Sequence, residues 1–287
     1  MRPAASVTAH VASFLGGSIV YGLFLGVATA VLLLLSGVMP TGDTTEAMTS
    51  MGGTVMGSLT IVQIAGFAAW ATVLAAMLPE RETAGTFAFP ERSRIAPHLG
   101  MRGADVPLLA VALLGSLTVW TFPSWLASQL LELTGGDQST LLAIGELLRE
   151  GTHLDRTVML LAVVLSAPIC EEVVFRGYLW EVAERWGGAG LAFALTTVLF
   201  AGYHLDPVHV LSLVPTAAFL GYLRWVSGSV WPPMLAHFGN NAASAVIVLV
   251  QPDDSPDTLP LWVGVVGAAF TVACCIVARA MIARRAL

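Results

Sequence analysis

The chain has 287 residues, of which 56% are hydrophobic and only 11% charged, with a formal net charge of −6 and a mean hydropathy of +0.79. A soluble globular domain carries about 25% charged residues. The composition therefore excludes a soluble enzyme and points to an all-α, polytopic membrane helix bundle of about eight transmembrane helices, with no nucleic-acid partner.

The first apolar run, Val11 to Met39, exceeds the roughly 20 residues that cross a hydrocarbon core. A cleaved signal peptide would have a shorter apolar core and a more basic start than a lone Arg2. After a polar segment with Asp43 and Glu46, Val55 to Leu78 forms a second span, in which Gln63 is a helix-packing donor. Pro79 to Asp105 mixes Arg81, Arg92, Arg94 and Arg102 with Glu80, Glu82 and Glu91 and reads as a solvated loop. Val106 to Leu131 is a third span, bent near Pro123, and Ser139 to Arg149 reads as an interfacial helix.

The fourth apolar run, Thr157 to Cys170, is short for a span, so its helix must continue through Glu171, Glu172 and Arg176 toward Trp186, placing these charges at membrane depth. Gly187 to Tyr203 is a fifth span, Val208 to Val226 a sixth interrupted by Pro215, Trp231 to Val250 a seventh and Leu259 to Ile282 an eighth. The chain divides into N-terminal helices and polar loops (1–156), a central membrane core (157–250) and a last helix (251–287). There is no lysine. With the N-terminus in the cytoplasm, Arg2, Arg81, Arg92, Arg94, Arg102, Arg185, Arg224, Arg279, Arg284 and Arg285 lie inside, against Arg149 and Arg156 outside. The positive-inside rule favours that orientation, with both termini cytoplasmic and, in a bacterium, the plasma membrane as the site.

Ionisable residues inside a span cost about 2.5 kcal/mol or more each and are functional candidates by default. Glu172 and Arg176 stand four residues apart on one helical face and can pair, while Glu171 lies about 100° round the helix and stays free. His204 ends the fifth span, and His237 and Asn241 share a face of the seventh. A lone intramembrane His is as often packing glue as chemistry. A Glu and two His on separate spans are, however, the ingredients of a water-activating site, and His237 with Asn241 can both donate toward one developing oxyanion. Cys170, Cys274 and Cys275 fall in apolar runs and read as small apolar residues. His10, His98, His153 and His209 match no motif and read as loop or interface residues.

Glu171-Glu172-x-x-x-Arg176, Phe200-x-x-x-His204 and His237-x-x-x-Asn241, in this order on membrane spans, resemble the three signature motifs of the CPBP (CAAX protease and bacteriocin-processing, or Abi) intramembrane proteases. The resemblance covers about Thr157 to Val250. It implies an endopeptidase with a cavity open to the membrane and the cytosol, in which Glu171 and His204 activate water, and His237 and Asn241 stabilise the oxyanion. The implied substrate is a membrane-associated peptide or protein, prenylated in the family's eukaryotic and archaeal members. The same resemblance favours a metal-free, glutamate-type mechanism. Two His and a Glu would also suit a catalytic zinc, with Glu171, His204 and His237 as ligands, although the usual HExxH signature is absent. The rival reading is a non-catalytic bacteriocin-immunity or scaffold protein; a transporter would want polar residues along a route, and the first half has little beyond Gln63. By counting from span starts, His237 falls near the cytoplasmic side and His204 near the outer side, so the fifth span must tilt, start deeper or break around Gly202.

Overall fold

The computed structural model describes residues 12, 15–17, 19, 52–76, 95–134, 139–250 and 259–284. All regular structure among these residues is helical. The expected first span and the two acidic segments that follow the first and seventh spans lie almost wholly outside them.

In chain order the helices are α1 (Gly52–Ala76), α2 (Ile95–His98), α3 (Val106–Val119), α4 (Thr121–Thr134), α5 (Ser139–Glu150), α6 (His153–Leu160), α7 (Ala167–Glu172), α8 (Trp180–Gly202), α9 (Pro207–Ser227), α10 (Trp231–Val250) and α11 (Leu261–Ala283). Two π-helical segments, π1 (Leu161–Ser166) and π2 (Val173–Leu179), flank α7, so that α6 to α8 form one continuous run. Six runs are long and apolar enough to cross a membrane: α1, α3 with α4, α6 through α8, α9, α10 and α11. The run from α6 to α8 is double, because Gly187 (φ −145°, ψ 18°) and Gly188 (φ +82°, ψ 177°) break α8. A φ of +82° is open to glycine and strained for a β-carbon-bearing residue. The described residues thus hold seven of the eight expected spans, with the fourth and fifth meeting at this glycine pair. Val198, Trp262 and Ile276 are 65%, 68% and 64% exposed. Such apolar exteriors mark lipid-facing helices.

Local sequence explains several boundaries. Thr152 and Asp155 form a reciprocal capping box that starts α6. Asp206 starts α9, its Oδ1 accepting from the backbone N–H groups of Val208 and His209 at 3.0 Å each, with Pro207 pre-shaped for the first turn. Gly228 ends α9 in a left-handed conformation. In the third span the regular helix is interrupted only at Trp120, between α3 and α4, where the backbone keeps right-handed helical angles (φ −70°, ψ −21°).

The expected interruption of the sixth span does not occur. α9 runs unbroken through Pro215, because a membrane bundle tolerates the single backbone bond that an internal proline removes. The core gathers around π2, where Phe175, Tyr178 and Leu179 pack with Phe200, Leu220, Leu223 and Val230. Residues 95–102 cover one end of it. Leu99 is buried, and its carbonyl oxygen lies only 3.1 Å from where a β-carbon on Gly177 would sit, so any larger residue there would crowd this backbone.

Candidate active site

The two carboxylates at the α7–π2 junction are held in different ways. Glu172 and Arg176 are fully buried, and the Arg176 Nη1 donates to Glu172 Oε1 at 3.0 Å, the pairing that their spacing allows. Arg176 Nη2 donates to the Ala217 carbonyl on α9 at 3.0 Å, and its guanidinium lies 4.1 Å from the centroid of the Phe200 ring. Glu172 has a second partner that local spacing does not reveal: His237 Nδ1 donates to the same Oε1 at 3.0 Å. The other nitrogen of that ring, Nε2, points at Glu171, 3.9 Å from Oε2. His237 is therefore wedged between the two adjacent glutamates, and Glu172 fixes which nitrogen carries the first proton.

His204 follows α8, in the turn that leads to α9. Its Nδ1 donates to the Phe200 carbonyl at 3.0 Å, which in the neutral ring leaves Nε2 as a free acceptor. Burial pushes this imidazole below its ordinary value near 6.5, against the pull of the Phe200 carbonyl and with a smaller lowering from His237. The ring stays neutral where an exposed histidine begins to charge. α8 ends at Gly202, one residue short of the expected end of the fifth span, and His204 lies in the turn beyond it. Phe200 bridges the two histidines, its ring centroid 5.4 Å from His204 and 5.5 Å from His237.

Asn241 Nδ2 donates to the Val163 carbonyl in π1 at 2.8 Å, and its Oδ1 accepts from Asn240 Nδ2 at 3.1 Å. One of its two amide hydrogens is thus spent on the backbone; the second is what remains for a ligand. Glu171, His204, His237 and Asn241 line one cavity of about 530 Å³, together with Asn240, Asp206, His209 and Ser212. A second, almost wholly apolar groove of about 620 Å³ runs between α1 (Ile64, Phe67) and the π2–α8 stretch (Val174, Leu179, Val198, Tyr203), and Glu171 lies in its wall as well. The carboxylate thus stands where a polar and an apolar space meet.

Residues 153–243 match the family described as Rce1-like, type II CAAX prenyl endopeptidase. That stretch, about a third of the chain, is similar to the family. That match and the apolar helices make this an integral membrane protein with the general character of a membrane endopeptidase. No curated protein and no solved structure matches the chain significantly.

Several residues around the site carry little signal in the sequence. Phe200 was only a motif letter, yet it contacts Arg176 and both histidines. His209, expected at a loop or interface, packs its ring 4.9 Å from His204 and lines the cavity; the Asp206-Pro207 helix start just before it was the available signal. Arg224 donates from Nε to the Arg176 carbonyl at 2.8 Å, and no local pattern announces it. Among the described residues no three His, Cys, Asp or Glu side chains form a group able to hold a metal ion.

Proposed function

We propose that the protein is an intramembrane endopeptidase in which Glu171 and His204 activate water. The observation that carries this reading is the convergence of Glu171, His204, His237 and Asn241 on one cavity. A water has two O–H donors, and the site offers two acceptors, the Glu171 carboxylate and His204 Nε2. With both hydrogens engaged, an oxygen lone pair is left for the peptide carbonyl carbon. Glu171 removes the proton as the new C–O bond forms, the negative charge moves to the carbonyl oxygen, and the C–N bond then breaks as a proton is returned to the leaving nitrogen.

His237 serves the oxyanion. Because Nδ1–H is tied to Glu172, Nε2 can donate only from the imidazolium form, for which the two flanking glutamates are the counter-charge. The remaining N–H of Asn241 is the second donor, and each such donor is worth roughly 3 kcal/mol in the transition state. The substrate this arrangement suits is a membrane-associated peptide whose apolar portion, a prenyl group in the family's description, enters the groove beside Glu171.

The test is cleavage of a fluorogenic farnesylated peptide by purified wild type and Glu171→Gln, each with and without 1,10-phenanthroline. Activity lost in the variant and kept with chelator supports the metal-independent glutamate reading. Activity abolished by chelator and restored by zinc would reject it in favour of a metal site. Binding of the peptide without hydrolysis by wild type would favour the non-catalytic partner-binding protein.

A further inference from the structure

His204, His209 and His237 all line the catalytic cavity, and they differ in how much of their hydrogen bonding the protein itself consumes. His204 commits Nδ1 to the Phe200 carbonyl, and His237 commits Nδ1 to Glu172. His209 commits neither nitrogen. Among the described residues its ring has no hydrogen-bond partner, and it packs against the His204 ring with 4.9 Å between centroids and 70° between planes.

The backbone of His209, by contrast, is tied twice. Its N–H donates to Asp206 Oδ1 at 3.0 Å, and its carbonyl accepts from Ser212 Oγ at 3.0 Å. The first turn of α9 thus holds the ring at the cavity wall with both nitrogens uncommitted. An imidazole carries at least one N–H in either tautomer and when protonated, so His209 is always a donor there.

Asn240 supplies the matching acceptor. Asn241 Nδ2 is committed to the Val163 carbonyl, so Asn241 turns its oxygen to its neighbour, and Asn240 answers with Nδ2 at 3.1 Å. That order fixes the Asn240 amide. Its Oδ1 is the end left over, and this atom is buried with no hydrogen-bond partner among the described residues. A buried polar atom in that condition calls for an explanation, and a bound ligand is one.

These two groups stand beside the reacting ones. His209 touches His204, which holds the water, and Asn240 is hydrogen-bonded to Asn241, which serves the oxyanion. A peptide crossing the site offers what each lacks: a carbonyl oxygen for the imidazole N–H and an amide N–H for Asn240 Oδ1. The groove on the other side of Glu171 is almost wholly apolar and suits an anchor, not a backbone.

We propose that His209 and Asn240 form a subsite that grips the substrate backbone beyond the scissile bond, on the side away from the apolar anchor. The subsite rests on the endopeptidase reading above. His209 donates to a carbonyl of that segment and Asn240 accepts from one of its N–H groups. Backbone groups are common to every sequence, so the subsite demands a minimum length of peptide rather than a particular side chain.

The experiment measures kcat/KM of the purified full-length protein for two farnesylated peptides, carrying one residue or four beyond the scissile bond, with products identified by mass spectrometry. The readout is the long-to-short ratio, from which a general loss of folding or of catalysis cancels. One net hydrogen bond is worth up to about tenfold, so the wild-type ratio reaches the order of 10². His209→Phe, which keeps a ring and loses the N–H, and Asn240→Leu each lower it about tenfold, and His209→Gln, which restores a donor, recovers part of the loss. A wild-type ratio near one, or a wild-type ratio retained by either His209→Phe or Asn240→Leu, overturns the proposal. If the wild type cuts neither peptide, the endopeptidase reading falls, and the ratio is taken from the two dissociation constants instead. A preference for the long peptide that collapses in both variants then supports the backbone subsite, and equal affinities reject it.

Discussion

Glu172 accepts two hydrogen bonds on one oxygen, from Arg176 and from His237, and these separate its structural role from its chemical one. Glu172→Gln keeps the shape and removes the charge, leaving the fully buried Arg176 without its nearest counter-ion. Breaking a buried pair by removing one partner costs about 3–5 kcal/mol. The double variant Glu172→Leu/Arg176→Met removes both charges, and replacing a whole buried pair by apolar groups is close to neutral, so most of that loss is recovered. Activity does not follow stability, because either variant changes the partner of His237 Nδ1 and releases the ring's orientation. An orienting partner of this kind is worth between the roughly 10-fold of a typical outer-shell hydrogen bond and the roughly 10⁴-fold of a triad aspartate, and a kcat loss on the order of 10²-fold is expected. Thermal unfolding in detergent and turnover of the farnesylated peptide are measured on the same preparations. A Glu172→Gln protein that melts with wild type would refute the ion-pair argument. A double variant that is stable and turns over at the wild-type rate would refute the claim that Glu172 positions His237.

Glu171→Ala, His204→Ala and His237→Ala each abolish cleavage and still yield folded, membrane-inserted protein; wild-type turnover in any of them removes that residue from the mechanism. Because burial depresses His204 in the folded state, the unfolded chain takes up a proton there first as the pH falls. Through this one group stability therefore declines from about pH 6.5 downward until the lowered folded value is reached, by at most roughly 1.4 kcal/mol per pH unit, and His204→Gln has a shallower slope than wild type in a series of unfolding measurements. Arg224→Met leaves the Arg176 carbonyl without its charged donor and lowers stability by about 1.5–3 kcal/mol; an unchanged melting temperature would show that the bond to π2 contributes nothing.

The spans could be read from the sequence because membrane burial writes itself into composition. Glu172 and Arg176 could be paired because that contact is local, four residues along one helix. Contacts between helices left no such trace. Nothing near Glu172 announces His237, 65 residues away, and nothing near Asn241 announces the Val163 carbonyl. The apparent mismatch in depth between His204 and His237 came from treating helices as ideal rods. α8 is broken at Gly187 and Gly188 and ends at Gly202, and Phe200 fills the space between the two rings.

The π segments are the least expected feature and the one that best explains the site. An α-helix consumes its own carbonyls, whereas a π segment widens the turn and disturbs that pairing. Val163 in π1 and Arg176 in π2 both offer carbonyl oxygens to side chains from other spans, Asn241 of α10 and Arg224 of α9. The short α7 between them carries the glutamate pair. Each carbonyl is a fixed point that ties a neighbouring helix to the one bearing the acid, so the rotation of that helix about its own axis is set from both sides of the pair. Adjacent residues on a helix point about 100° apart, and only one rotation lets a single imidazole meet Glu172 through Nδ1 while facing Glu171 through Nε2. Straightening either π segment would turn the glutamates away from His237, and the irregular backbone stands beside the glutamate pair.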